Sequence, residues 1–572
     1  MTRPDPLAAM PAWMAQLADT TQWQNLLKPM QFPSAPAGQP AIPGVPAAEF
    51  DPAVMASLQA KYMQELGSLW TSTMSAPAAA IADKRFGAPA WQANPMGSFN
   101  ASAYLLNAKF LNAMTDAVKA TPKVKEKIRF NVQQMIDAMS PANFLVTNPE
   151  AQQLLLETKG ESLSRGLTQL LADMRKGRIS QTDETAFEVG KNVATTEGAV
   201  VFENELFQLL QYKPLTKTVF ERPLLIMPPC INKYYILDLQ PENSLVRYAV
   251  EQGHTVFLIS WRNPDASLAH LTWDDYIGLG AFEAIAVTQQ ISGQEQINAL
   301  GFCVGGTILS TALALLFARG EKPVSSLTLL TAFLDFTDTG IIDVFVDEEA
   351  VVKREQAIGQ GGLMEGKEFA QTFSSLRSND LVWSYVKSNY LKGEAPPAFD
   401  LLYWNSDSTN LPGPMFCWYL RNTYLEDGLK HPGKVSVLGE PVDFGQIAAP
   451  TFLYASREDH IVPWTSAYAS MALLNPKHPK LNQFVVGASG HIAGVINAPA
   501  KNKRSFWSND KVAKSAAEWM EKSTEQPGSW WPSWAAFLQK HAGKQVKPRA
   551  YGNADFPVIE PAPGRYVKAK SS

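Results

Sequence analysis

Hydrophobic positions change rhythm about a third of the way along the chain. In the first part they recur every three to four residues. Met55, Leu58, Tyr62, Leu66 and Leu69 fall on one helical face, and Asp51-Pro52 just ahead of them is a helix start. The same spacing predicts helices over about 102–118, 123–139 and 149–175, with a short amphipathic helix in "MPAWMAQLADTTQWQNLL". Residues 32–50 are rich in Pro and Ala and read as an extended linker. Residues 1–178 are therefore expected to form a helical N-terminal domain with little strand signal and no clear catalytic constellation.

From about residue 196 short β-rich runs take over. "AVVFENELFQLLQY" predicts two strands joined by a turn at Glu203-Asn204. "RPLLIMP" (222–228), "TVFLISW" (255–261), "INALGF" (297–302) and "SSLTLLTAF" (325–333) then alternate with helical stretches at about 240–252, 278–292 and 305–319. This beat implies a mostly parallel sheet covered on both faces by helices. It stops over 337–443, a segment rich in Tyr, Trp, Asn and Gly, and resumes at "APTFLYAS" (449–456) and "LNQFVVGA" (481–488). A long interruption between strands of one sheet reads as an inserted lid. The expected α/β catalytic domain runs over 179–545, followed by a basic, Pro-rich tail, 546–572, as a flexible end or a surface strap.

Bulk properties narrow the field. The 572 residues carry a net charge of -4, which gives no electrostatic reason to expect nucleic acid. The three cysteines, Cys230, Cys303 and Cys417, form no CxxC pair, so neither a metal site nor a disulfide framework is suggested and a reducing, cytoplasmic setting is the default. The N-terminus lacks the apolar core of a signal peptide. One uncharged window, 296–318, is long enough to cross a bilayer. Gly301, Gly305 and Gly306 interrupt it, and strand, turn and helix explain it better.

That turn is "GFCVGGT". It matches the G-x-S-x-G nucleophile elbow of the α/β-hydrolase fold with cysteine in place of serine. The pattern needs small residues at Gly301 and Gly305, two positions either side of the nucleophile, and Gly306 lets the helix approach the sheet. Cys303 would then project at the sheet edge above a helix N-terminus, which favours a thiolate, and the Val304 N–H would form half of an oxyanion hole. The plain alternative is a structural cysteine in a Gly-rich turn. Context favours the elbow, because an acid and a histidine follow in the order this fold uses. Asp459 in "SREDHIVPW" and His491 in "GASGHIAGV" lie in loops directly after strands. Glu458 and His460 are weaker rivals for the same roles. Cys230 follows strand 222–228 and reads as structural, with the neighbouring Ile231 N–H as the second oxyanion donor. Lys501, Lys503 and Arg504 in "KNKR" are candidates for nucleotide phosphates, against an equally plain reading as a solvated basic turn. Cys417 is expected to pack.

"GFCVGGT", "PPCINKYYILDLQPENSLV", "FLISWRNPD", "SREDHIVPW" and "GASGHIAGVINAPAKNKRS" together resemble the class I polyhydroxyalkanoate synthases of bacteria. The resemblance runs from about residue 85 to the C-terminus, including "MSPANFLVTNPEAQ". It implies polymerisation of (R)-3-hydroxyacyl-CoA, of short chain length for class I, with release of CoA. Cys303 would be the nucleophile and Asp459 and His491 its partners. It further implies a homodimer, cytoplasmic and sitting on the surface of the polyester granule, with no cofactor, CoA entering as part of the substrate.

A thiol suits that chemistry. Attack on a thioester gives another thioester, so the acyl group stays activated until a 3-hydroxyl converts it to an oxygen ester. Water competes for the same acyl group, which gives a lid a mechanistic role. Whether Asp459 activates the hydroxyl or only orients His491 is open at this level, and the sequence reading expects Asp459→Asn to be impaired mainly in elongation. A cysteine-dependent hydrolase and a non-catalytic granule-binding protein on the same scaffold are the competing readings.

Overall fold

The computed structural model describes residues 49–75 and 81–571, so the amphipathic helix expected before the linker and most of the linker itself lie outside the described residues. The helical region begins where Asp51 accepts the Ala53 N–H at 2.9 Å, opening α1 (Pro52–Ser75). Its stripe of Met55, Leu58, Tyr62, Leu66 and Leu69 is half-buried. α2 (Pro95–Ala117), α3 (Pro122–Ala138), α4 (Pro149–Glu157) and α5 (Glu161–Lys176) follow. Each of α2, α3 and α4 opens with an Asn or Thr cap and Pro at the first turn, a favourable start because both satisfy or remove orphan N–H groups. The single helix expected over 149–175 is two. Lys159 and Gly160 adopt positive φ, 50° and 93°, and break it.

These helices form one compact unit, made of the described residues up to 184 together with 373–398 from the expected lid. Buried polar contacts show why. Asp137 on α3 accepts from Ser378 Oγ at 2.5 Å and Asn379 Nδ2 at 2.7 Å. Tyr390 OH donates to Asp173 at 2.7 Å. At Gly166 on α5 a Cβ would fall 2.0 Å from the Tyr390 carbonyl oxygen. A buried carboxylate without such donors would be costly, so 373–398 supplies what the helices lack.

The second unit holds residues 185–372 and 399–572. Its sheet has eleven strands: β1 (Gly198–Glu203), β2 (Phe207–Tyr212), β3 (Leu224–Met227), β4 (Val256–Trp261), β5 (Ile297–Phe302), β6 (Val324–Leu330), β7 (Thr451–Ser456), β8 (Asn482–Gly487), β9 (Ser505–Ser508), β10 (Thr524–Pro527) and β11 (Glu560–Pro561). They lie in the order β10-β9-β8-β7-β6-β5-β3-β4-β2-β1-β11. The pairs from β4 through β3, β5, β6 and β7 to β8 are parallel, and the flanking pairs are antiparallel. All residues of β3, β4, β5 and β7 are buried, as expected of strands covered on both faces. α6 (Leu245–Glu251), α7 (Glu283–Ser292), α8 (Val304–Ala318), α9 (Trp464–Met471), α10 (His491–Val495) and α11 (Trp531–His541) connect and cover it. The expected strands over 198–330 and 449–488 are all present.

No strand of 337–443 joins this sheet; its short strands pair among themselves in two-stranded ribbons. The C-terminal tail, expected as a flexible end or a surface strap, is fastened to the sheet. Its residues 560–561 form the edge strand β11, and Tyr566 OH donates to the Asn204 carbonyl at 2.9 Å. The uncharged window 296–318 is β5, a turn and α8. Among the described residues no helix is long and apolar enough to cross a membrane.

Candidate active site

Strand β5 ends at Phe302 and α8 begins at Val304, so Cys303 carries the whole reversal. Its φ of 52° and ψ of -129° are costly for a residue with a Cβ, about 1–3 kcal/mol, and are held by its N–H donating to the Leu330 carbonyl at 2.9 Å. The glycines serve close approach. A Cβ on Gly301 would sit 2.4 Å from Gly306 Cα, one on Gly305 2.4 Å from the Met227 carbonyl oxygen, and one on Gly306 2.6 Å from Ala332 Cβ. Gly305 therefore lets the start of α8 touch the end of β3, the strand leading to Cys230 and Ile231. Cys303 is half-buried, whereas Cys230 and Cys417 are buried. Burial pushes the Cys230 thiol well up and that of Cys417 to about 11, so both are held as neutral thiols at neutral pH, in keeping with structural roles.

The loops after β7 and β8 bring Asp459 and His491 together. His491 Nδ1 lies 2.6 Å from Asp459 Oδ2, with side-chain exposures of 6% and 0%. Asp459 Oδ1 accepts the N–H groups of Ile461 at 2.8 Å and Val462 at 2.9 Å. Burial alone would depress the imidazole. The negative charge of the Asp459 carboxylate, and after it that of the neighbouring Cys303 sulfur, overcome it and push His491 up to about 10. The three expected side chains thus meet at one place, with Phe302 stacked on the imidazole at 5.8 Å.

Of the two rivals, Glu458 is bound elsewhere. Glu458 accepts the Ser489 N–H through its carboxylate, and its own N–H donates to the Ser489 carbonyl at 3.1 Å. It fastens the loop that carries His491 instead of touching the ring. From the far side, Trp530, just ahead of α11, and Trp531, its first residue, donate their indole N–H groups to the carbonyls of Gly494 at 3.0 Å and Val495 at 2.8 Å, bracing α10. Arg504 donates to the Ala493 carbonyl, while Lys501 and Lys503 are exposed.

Val304 is the first residue of α8, so its N–H lacks a helical acceptor four residues back and is free to meet an oxyanion. Loop 228–233 runs beside it. Its carbonyls at Cys230 and Ile231 are held by Thr409, from Oγ1 at 2.7 Å and from N–H at 3.4 Å.

The aromatic-rich segment 337–443 is expected from the sequence to act as a lid, but its individual residues are not singled out there. Tyr419 and Tyr424, from the inserted segment, lie with ring centroids 5.6 Å apart, and Tyr424 contacts Phe333 and Phe336 at 6.1 and 5.1 Å. Burial pushes the Tyr424 phenol upward, and the charges of Cys303 and Asp459 act in the same direction. Only the excess of aromatics in 337–443 hinted at this; nothing in the local pattern picks out Tyr424.

Comparison with known proteins places the chain in a family. Residues 82–249 match the family described as poly-beta-hydroxybutyrate polymerase N-terminus, and residues 223–498 match the alpha/beta hydrolase fold. The poly(3-hydroxyalkanoate) polymerase subunit of Cupriavidus necator is 59% identical over 94% of this chain and 92% of its own length. The poly(3-hydroxyalkanoate) polymerase of Methylorubrum extorquens is 40% identical over 91% and 88%. Among solved structures, a monoacylglycerol lipase of Paleococcus ferrophilus aligns with 59% of this chain and 100% of its own at 12% identity and a TM-score of 0.34, too low to bear on the fold. The two polymerases and the two family matches show that this chain belongs to the poly(3-hydroxyalkanoate) polymerases, enzymes built on an α/β-hydrolase domain that polymerise hydroxyalkanoate units.

Proposed function

We propose that the enzyme polymerises short-chain (R)-3-hydroxyacyl-CoA, 3-hydroxybutyryl-CoA above all, through an acyl group carried on Cys303, releasing one CoA per monomer. The observation that carries this reading is a thiol at a strained elbow, close enough to act electrostatically on an imidazole that is itself bonded to a buried carboxylate.

The Cys303 thiolate attacks the thioester carbonyl, its proton having passed to His491. The tetrahedral oxyanion accepts from the Val304 and Ile231 N–H groups. As the intermediate collapses, the C–S bond to CoA breaks and His491 returns its proton to the departing sulfur. The 3-hydroxyl of the next unit then gives its proton to His491 and attacks the acyl-cysteine. An ester forms and the thiolate is regenerated. Asp459 holds the imidazole with Nδ1 protonated and offsets the charge of the imidazolium.

Tyr419, Tyr424 and their Phe neighbours exclude water from the acyl-cysteine, which favours ester formation over hydrolysis. The enzyme acts as a cytoplasmic homodimer at the surface of its polyester granule. The test is incubation with 3-hydroxybutyryl-CoA, following CoA and insoluble polyester together. Both should appear in proportion; CoA with free 3-hydroxybutyrate alone would make the protein a thioesterase.

A further inference from the structure

Behind loop 228–233 lies a charged cluster with no role in the chemistry above. Lys233 is 2% exposed, and its ammonium donates to the carbonyl of Ala569, near the C-terminus. Asp407 is also buried. It accepts from Tyr235 OH at 2.9 Å and pairs with Lys570 at 3.1 Å, while its Oδ1 has no hydrogen-bond partner. The Lys570 ammonium also sits over the Tyr403 ring, 5.1 Å from its centroid.

The same short stretch of the inserted segment, 404–409, backs the loop directly. Trp404 Nε1 donates to the Lys233 carbonyl at 2.7 Å, Ser408 bridges to Asn232, and Thr409 holds the carbonyls of Cys230 and Ile231. The last residues of the chain therefore grip both strips: Lys233 from the loop and Asp407 from its backing. They are led there along the sheet edge by β11 and by the buried Val567.

A buried ammonium and a buried carboxylate are expensive unless partnered. Burial depresses the Lys233 ammonium to about 8, against the partial support of Asp407. Without the tail, Lys233 loses its carbonyl acceptor and Asp407 its nearest countercharge. Both would turn toward water and take the loop with them. Oxyanion donors must be set to within a fraction of an ångström, and a 1 Å error costs on the order of 100-fold in rate.

We propose that Ala569 and Lys570 are positioning residues for acylation: by clamping Lys233 and Asp407 they fix loop 228–233, and with it the Ile231 N–H, relative to Cys303. This rests on the reading of Cys303 as nucleophile and of Ile231 as an oxyanion donor.

The test compares the full chain, Lys570→Ala, Lys570→Arg and a chain ending at Lys568. The burst of CoA from 3-hydroxybutyryl-CoA reports acylation, which needs the oxyanion hole. Alkylation of Cys303 by iodoacetamide displaces iodide at a saturated carbon and needs the thiolate alone. Acylation should fall about tenfold or more in Lys570→Ala and in the shortened chain, with alkylation unchanged and Lys570→Arg close to wild type. Unchanged acylation in Lys570→Ala and the shortened chain would overturn the clamp, as would a parallel loss of alkylation, which would mean general disorder of the site. A full chain that gave no burst would overturn the parent reading, and the clamp with it.

Discussion

Asp459 faces His491 with one carboxylate oxygen, 2.6 Å from Nδ1, and turns the other to the N–H groups of Ile461 and Val462. A carboxylate has about four acceptor positions, and three are filled. Little capacity is left for a substrate hydroxyl, and the side chain is fully buried. Asp459 is thereby cast as an orienting group, which revises the expectation that its loss falls mainly on elongation. Asp459→Asn should slow acylation and elongation alike, by about 1,000-fold or more. Rapid-quench kinetics resolving the first CoA released from steady-state polymer formation check this; an effect confined to elongation would show that Asp459 meets the hydroxyl.

The raised His491 titration predicts a pH-dependent contribution to stability. Its folded-state value, about 10, lies above the ordinary 6.5. The folded chain therefore binds the proton more tightly than the unfolded one. The resulting stabilisation is fully present below about pH 6.5 and is lost as pH rises toward 10. The difference in melting temperature between wild type and His491→Gln should shrink steadily over that window. A difference that stayed flat or widened with pH would contradict the assigned charge balance.

Gly305 is predicted to tolerate no side chain. A Cβ there would meet the carbonyl oxygens of Met227 and Pro228 at 2.4 and 2.5 Å, and backbone cannot step aside as a side chain can. Gly305→Ala should cost about 3 kcal/mol, at the upper end of overpacking effects, and should abolish activity by separating α8 from β3. Denaturant unfolding measures the first and polymer formation the second.

Glu458 is expected to act at one remove. Its carboxylate holds Ser489, whose φ of 89° is strained for a residue with a side chain. Glu458→Ala should lower kcat about tenfold through misplacement of His491, leaving KM nearly unchanged. Glu458→Gln, which keeps an acceptor oxygen, should recover most of the loss.

The central strands and the elbow were legible because their signals are local. Buried parallel strands read as apolar runs, and close packing at Gly301, Gly305 and Gly306 demands small residues whatever the rest of the chain does. β10 and β11 were not legible. "TEQP" carries no apolar residue, and Glu560-Pro561 is too short for a period and contains a residue disfavoured in strands. The sequence shows 337–443 as one interruption of the strand beat. Its division between two units, with 373–398 joining the helices, depends on partners such as Asp137 and Asp173 some two hundred residues away. Tyr424, Asp407 and Lys570 were missed for the same reason: their roles come from tertiary neighbours.

The central claim is that each monomer is carried on the sulfur of Cys303. The direct measurement is peptide mass mapping after brief reaction with an acyl-CoA lacking the 3-hydroxyl, which can load the enzyme but not elongate. The expected result is one acyl adduct on the peptide containing Cys303, absent in Cys303→Ala together with CoA release. An adduct on another residue, or undiminished CoA release from Cys303→Ala, would contradict it.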